Sequence, residues 1–137
     1  MVNLLNGNRT LFVSLFCLIS FFCSSCGDIF NSRTKIIDSY YLVEGETKEG
    51  YTICRQMAEG DFVVRIPALI LSYGYTDSFL VAKIKSYDNK IEYYILNRKK
   101  DSDSFPTKDV KIGPLNETEY MERWATRINV KLSKAQY

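Results

Sequence analysis

The sequence contains no histidine. That removes the side chain whose charge changes most readily near neutral pH, and with it the commonest general base and the commonest zinc ligand. Cysteine is scarce where it would matter: Cys17, Cys23 and Cys26 lie in or beside an N-terminal apolar run, and only Cys54 lies in the body. An excess of one charge is missing too. The 18 Lys and Arg are balanced by 16 Asp and Glu, and they are interspersed, whereas a nucleic-acid footprint needs clustered basic residues. No G-x-S-x-G, P-loop or dinucleotide fingerprint occurs. The longest apolar run, residues 11–23, has 13 residues, too few to span a hydrocarbon core of about 30 Å.

That run, "LFVSLFCLISFFC", has the length of a signal-peptide core. Before it, "MVNLLNGNR" supplies Arg9 and the amino terminus as a modest positive region; after it come Ser24, Ser25, Cys26 and Gly27. The pair Cys23-Ser24-Ser25-Cys26 could on paper be a redox or metal motif. Nothing around it supplies the helix N-terminus of a βαβ unit that lowers a thiol pKa, and a chain without His does not complete a zinc site. The segment instead resembles a bacterial lipoprotein signal, with Cys26 as the lipidated residue. It departs from that pattern at Cys23, where Leu is usual. An uncleaved anchor and a cleaved secreted protein are the other two readings. The expected organisation is therefore a signal peptide over 1–25, the lipidated Cys26 with a polar tether to residue 35, and one small domain over 36–137. With Cys26 engaged, Cys54 has no disulfide partner and reads as a small hydrophobe in a strand. Loss of Arg9 leaves 17 basic against 16 acidic residues, a near-neutral domain.

Aromatic residues are abundant, with ten Tyr and eight Phe, which favours strands. The runs 36–44, 51–57, 62–66, 68–75, 79–86, 91–97 and 110–115 read as strands between turn clusters such as "EGETKEG", "AEGD", "TDS" and "YDNK". In 62–66, Phe62, Val64 and Ile66 fall on one face and Val63 and Arg65 on the other, with Pro67 ending the strand or marking an edge. Gly74 marks either a bulge or a close backbone approach. Leu80, Ala82 and Ile84 are expected to face a core, and Lys83 and Lys85 to face water. "RKKDSDSFPTKD" reads as a mobile loop. Near the C-terminus the period changes: Asn116 with Glu119 forms a capping box, and Met121, Trp124, Ala125, Ile128 and Leu132 form a helical stripe. The expected class is α+β: a mostly antiparallel sheet of about six or seven strands with one C-terminal amphipathic helix.

The segments "DSYYLV", "VRIPALILSYGYTDSFLVAK", "IEYYILN" and "IGPLNETEYMER" together resemble a family of short bacterial lipoproteins to which no activity is assigned. A "YGY-D-F-(I/L)-(I/V)-A-K" segment and a terminal "GPL-x-x-E-(F/Y)" helix start carry the likeness, over residues 36–130. It implies an envelope location and a fold, and brings no catalytic residues.

Candidate sites are few. Paired tyrosines occur at Tyr40-Tyr41, Tyr73-Gly74-Tyr75 and Tyr93-Tyr94, and each adjacent pair places its rings on opposite sheet faces; either they pack across strands, or Tyr75 and Tyr94 form an exposed binding platform. Trp124 belongs to the helical stripe. Asp61, Asp77, Asp88, Asp101, Asp103 and Asp109 all fall at expected turns or loops, where Asp bonds its own backbone. "DSD" at 101–103 lacks the loop length and terminal Glu of a calcium site. Two distant carboxylates would suffice for glycoside hydrolysis, and nothing singles out a pair. The basic run at 98–100 either meets anionic headgroups or is a solvated loop balanced by Asp101 and Asp103. "NET" at 116–118 reads as a helix cap. These features lead to a lipid-anchored, non-enzymatic envelope protein. Its expected partners are the membrane, through Cys26, and another envelope protein; no cofactor, metal or nucleic acid is expected. A ligand- or glycan-binding module using exposed tyrosines, and an enzyme using Tyr and Asp, are the alternatives.

Overall fold

Residues that alternate between apolar and polar pair readily with one another. Among the described residues they form nine strands in two antiparallel sheets, followed by a helical segment, which is the α+β class expected. The computed structural model describes residues 32–45, 50–67, 69–104 and 108–136. The signal segment, Cys26 and the tether through residue 31 lie outside the described residues.

The first sheet contains β1 (Arg33–Ile37), β2 (Tyr40–Glu44), β3 (Tyr51–Gln56) and β4 (Phe62–Ile66) in that order. Two strands stand where one was expected over 36–44, because Asp38 adopts φ 49 and turns the chain. Asp tolerates that left-handed conformation at little cost. The body also begins earlier than expected, since Arg33–Lys35 are already in β1.

The second sheet has the order β8-β7-β6-β5-β9, built from β5 (Leu69–Tyr75), β6 (Phe79–Lys85), β7 (Ile91–Asn97), β8 (Lys111–Leu115) and the two-residue β9 (Ser133–Lys134). The β6–β7 hairpin pairs without interruption from Phe79↔Asn97 to Lys85↔Ile91. Its turn is made possible by Asn89 at φ 64. The helical segment α1 runs through Glu117–Tyr120, a π-helical Met121–Ala125 and Thr126–Ile128. Its capping box is present as expected: Glu119 N–H donates to Asn116 Oδ1 at 2.9 Å, and Asn116 N–H donates to Glu119 Oε2 at 3.0 Å.

The sheets pack face to face over one core, drawn from Tyr40, Leu42, Ile53 and Ile66 on one side and Ile70, Leu80, Ala82, Ile84 and Leu96 on the other. Each such large aliphatic side chain contributes about 1.5–3 kcal/mol on burial. Period two works here as expected for Leu80, Ala82 and Ile84. The opposite face of β6 and β7 is not simply wet, however. α1 covers it, and Val81, Tyr93 and Ile95 form a second core with Tyr120 and Ile128. Tyr93 and Tyr120 stack with ring centroids 4.4 Å apart. Lys83 is half-buried there, with Nζ 3.7 Å from Glu117 Oε1.

Two details of the helical stripe differ from expectation. Met121 is exposed and Tyr120 takes its place, so the packed positions are Tyr120, Trp124 and Ile128, four residues apart through the wide π-turn. Leu132 packs on the same core from outside α1, because Asn129 at φ 47 caps the helix after Ile128. In β4, a bulge opposite Ile53 and Cys54 turns Ile66 inward, so it does not share the face of Phe62 and Val64.

Gly74 is a site of close backbone approach: a Cβ there would lie 2.4 Å from the Lys131 carbonyl oxygen. Backbone on both sides cannot yield as a flexible side chain would. Gly74→Ala is expected to cost about 1–3 kcal/mol, read as a lower urea midpoint at unchanged slope.

Candidate functional site

Strand directions gather one set of loops at one end of the sandwich: the turns after β1, β3 and β5, and residues 98–104 after β7. Ser32 leaves the domain at the opposite end of β1. The loop end is organised around Arg65. This residue interrupts the apolar strand "FVVRI" and is fully buried. Its Nε donates to both Asp101 oxygens, at 3.1 and 3.0 Å, and its Nη2 donates to the carbonyls of Ser102 and Ser104 at 2.7 and 3.1 Å. The Tyr40 hydroxyl donates to Asp101 Oδ2 at 2.7 Å. Arg55 lies 3.5 Å from Asp101 and 3.3 Å from Asp103, and its Nε donates to Ser39 Oγ at 3.2 Å. The segment expected as a mobile loop is thus tied, over 98–104, to β2, β3 and β4.

A second arginine clamps the same end. The Arg98 guanidinium is almost entirely buried, and it donates to the Thr76 carbonyl and to the Asp38 carboxylate. It joins the turn after β1 to the turn after β5, which lie in different sheets. Its Cζ is also 6.0 Å from the centroid of Tyr75, within cation–π range.

The two tyrosines singled out from sequence have different surroundings. Tyr75 is 46% exposed at the loop end, beside Arg98. Tyr94 is half-buried and packs against the first core, so burial pushes its hydroxyl pKa up. They are on different parts of the second sheet and do not form one platform: Tyr75 is the last residue of β5, and Tyr94 lies mid-strand in β7. Trp124 packs in the second core. Cys54 is a buried free thiol in β3, its pKa also raised by burial. Cys26 lies outside the described residues.

The network satisfies Asp101, whereas Nη1 of Arg65 and of Arg55 is buried without a hydrogen-bond partner. Both Asp101 oxygens already accept hydrogen bonds, and its carboxylate is shut off from solvent. Burial, and then donation to Asp101, hold the Tyr40 hydroxyl far above its ordinary pKa. Both groups are buried inside the domain, away from its surface. Beside the network lies an open groove of about 330 Å³ lined by Met57, Ala58, Glu59, Asp61, Val63 and Asp103. A second, of about 300 Å³, lies where β1 and β2 face β5 and β9, lined by Thr34, Leu42, Tyr73, Ser133, Lys134 and Gln136. No three His, Cys, Asp or Glu among the described residues gather as a metal site. No helix there is long and apolar enough to cross a membrane.

Sequence reading passed over Arg65, Asp101, Tyr40 and Arg55 as a group. The available signal was Arg65 itself, since a cation flanked by Val64 and Ile66 demands a carboxylate once buried.

Asp101→Ala leaves Arg65 unpaired and is expected to cost about 3–5 kcal/mol. Arg65→Met should cost less, because Asp101 keeps Tyr40 and Arg55; urea unfolding followed by circular dichroism gives the order. The raised pKa values of Tyr40, Tyr94 and Tyr120 also fix a pH response. The unfolded chain ionises first, so stability is complete below about pH 10 and falls as pH rises beyond it. Tyr40→Phe should make that fall shallower in unfolding curves taken on either side of this pH. No family model, curated protein or solved structure matches this chain.

Proposed function

We propose that this chain is a lipid-anchored protein of the bacterial cell envelope, held by acyl chains on Cys26, whose domain is a non-enzymatic interaction module. The observation that carries the reading is the loop end. Arg65 and Arg98 tie three loops from two sheets into one surface, and they do so opposite the end at which the chain leaves toward Cys26. Rigid loops bind at low entropic cost. An exposed Tyr beside an Arg is the composition that dominates protein interfaces. The closed hydrogen bonding of Asp101 supports binding over catalysis.

A second reading, a small polar ligand, draws support from the groove that places the Thr34, Tyr73 and Ser133 side chains around Leu42. Its volume is at the lower bound of ligand pockets, about 300 Å³.

Intact mass of the protein from its membrane fraction should give a chain beginning at Cys26 with added acyl mass, abolished by Cys26→Ser. A photo-crosslinking residue at Tyr75 should then yield a discrete protein adduct in intact cells, and one at Tyr87, on the β6–β7 turn, should not. Adducts at neither position, with binding lost instead on Tyr73→Ala, would favour the groove.

A further inference from the structure

The two sheets differ in what covers their outer faces. α1 lies on the second sheet, and among the described residues neither core includes a side chain from the outer face of the first. Register assigns that face: Lys35, Tyr41, Cys54 and Val64 form one cross-strand row, with Arg33, Val43 and Thr52 beside it on one side and Gln56 and Phe62 on the other. It is apolar and aromatic, and its cations stand on the edge strand. Val64 is 50% exposed and Arg33 and Lys35 are exposed, while Val43 and Cys54 between them are buried, and no strand position of this face is a carboxylate. The aromatic rings are drawn together: Tyr41 meets Phe62 edge-on at 5.2 Å, and the Arg33 guanidinium lies 5.0 Å from the Phe62 centroid.

Resting on the lipid anchor proposed above, we infer that this face lies against the anionic bilayer surface. Arg33 is the seventh residue after Cys26, and the six steps from Cys26 to Ser32 span at most about 21 Å when fully extended. The face therefore cannot be far from the bilayer, and its nearest strand is the one bearing both cations. Exposed Lys and Arg are each attracted to an anionic leaflet, and Tyr and Phe partition into the headgroup region. A lipid chain together with a basic patch holds a protein more firmly than either alone. In this pose α1 faces away from the lipid, and the loop end lies to the side at headgroup level.

The test uses the lipidated full-length product reconstituted in vesicles, with a spin label on Val64→Cys in a Cys54→Ser background. The comparison is the same label on Tyr87→Cys, at a position 90% exposed on the β6–β7 turn. With phosphatidylglycerol present, a water-soluble nickel quencher should reach the Val64 position several-fold less than the Tyr87 position, and dissolved oxygen should reach it more. Lys35→Glu should abolish the difference. Equal exposure of the two labels, or shielding of the Val64 position that remains in phosphatidylcholine alone, overturns the docking while the anchor stands. An intact mass without acyl chains in the same preparation overturns both.

Discussion

A fully buried guanidinium has to be answered by a carboxylate, and in this protein the answer comes from another part of the chain. Arg65 is in β4, Asp101 beyond β7, and they meet with the carboxylate itself almost wholly buried. Leaving water costs several kcal/mol for each ion, and most of the pair's remaining hydrogen bonds offset it, although Arg65 Nη1 is buried without a hydrogen-bond partner. Tyr40 completes one carboxylate oxygen, Arg55 approaches the other, and two carbonyls of the 102–104 backbone complete Arg65 Nη2. The carbonyls matter as much as the charge. They tie residues 102–104 to β4, where a composition rich in Lys, Asp and Ser would favour solvation.

The same requirement divides the two sheets by role. The second sheet is buried on both sides and contributes the middle layer, with the first sheet on one face and α1 on the other. β6 and β7 therefore carry apolar residues at successive positions, as in Leu80-Val81-Ala82 and Ile95-Leu96, which are all fully buried. The first sheet gives one face to the main core, and its loop end is joined to the second by ionic and hydrogen-bonded contacts through Arg65 and Arg98. Those contacts are directional, unlike apolar packing, and they set the relative position of loops rather than merely holding sheets together.

Strand and helix positions were legible because local patterns determine them. The period-two face of Leu80, Ala82 and Ile84, the Asn116–Glu119 capping box and the tight approach at Gly74 each depend on residues near one another or on glycine's missing Cβ. What sequence did not disclose depends on long-range choices. Lys83 read as a wet residue because nothing in β6 indicates that α1 will cover it. Met121 read as a core residue because a π-turn, which rotates it outward, has no composition of its own. The split of 36–44 depended on whether Asp38 would take φ 49, and the inward turn of Ile66 on a bulge set by its partner strand. Asp101 was hardest to see: between Lys100 and Ser102 it resembles any surface loop carboxylate, and only Arg65, 36 positions away, gives it a buried role.

Arg65 and Arg98 also bear on how an anchored domain could act. A tether of a few residues restricts where a domain can go and leaves its orientation free, so a surface meets a neighbour productively only part of the time. Two features reduce that loss. The loops at the far end of β1 are already in one arrangement, which removes the cost of ordering them at contact. A cationic, aromatic sheet face next to the tether would further limit rotation on an anionic leaflet, turning the loop end sideways along the membrane instead of up from it. If the proposed anchor and docking hold, a neighbour in or on the membrane would come within reach of Tyr75 and the groove between Met57 and Asp103. The arginines that stabilise the fold and the surface that could meet that neighbour are then parts of one arrangement, because the loop that closes over Arg65 also brings Asp103 to the groove lined by the turn after β3.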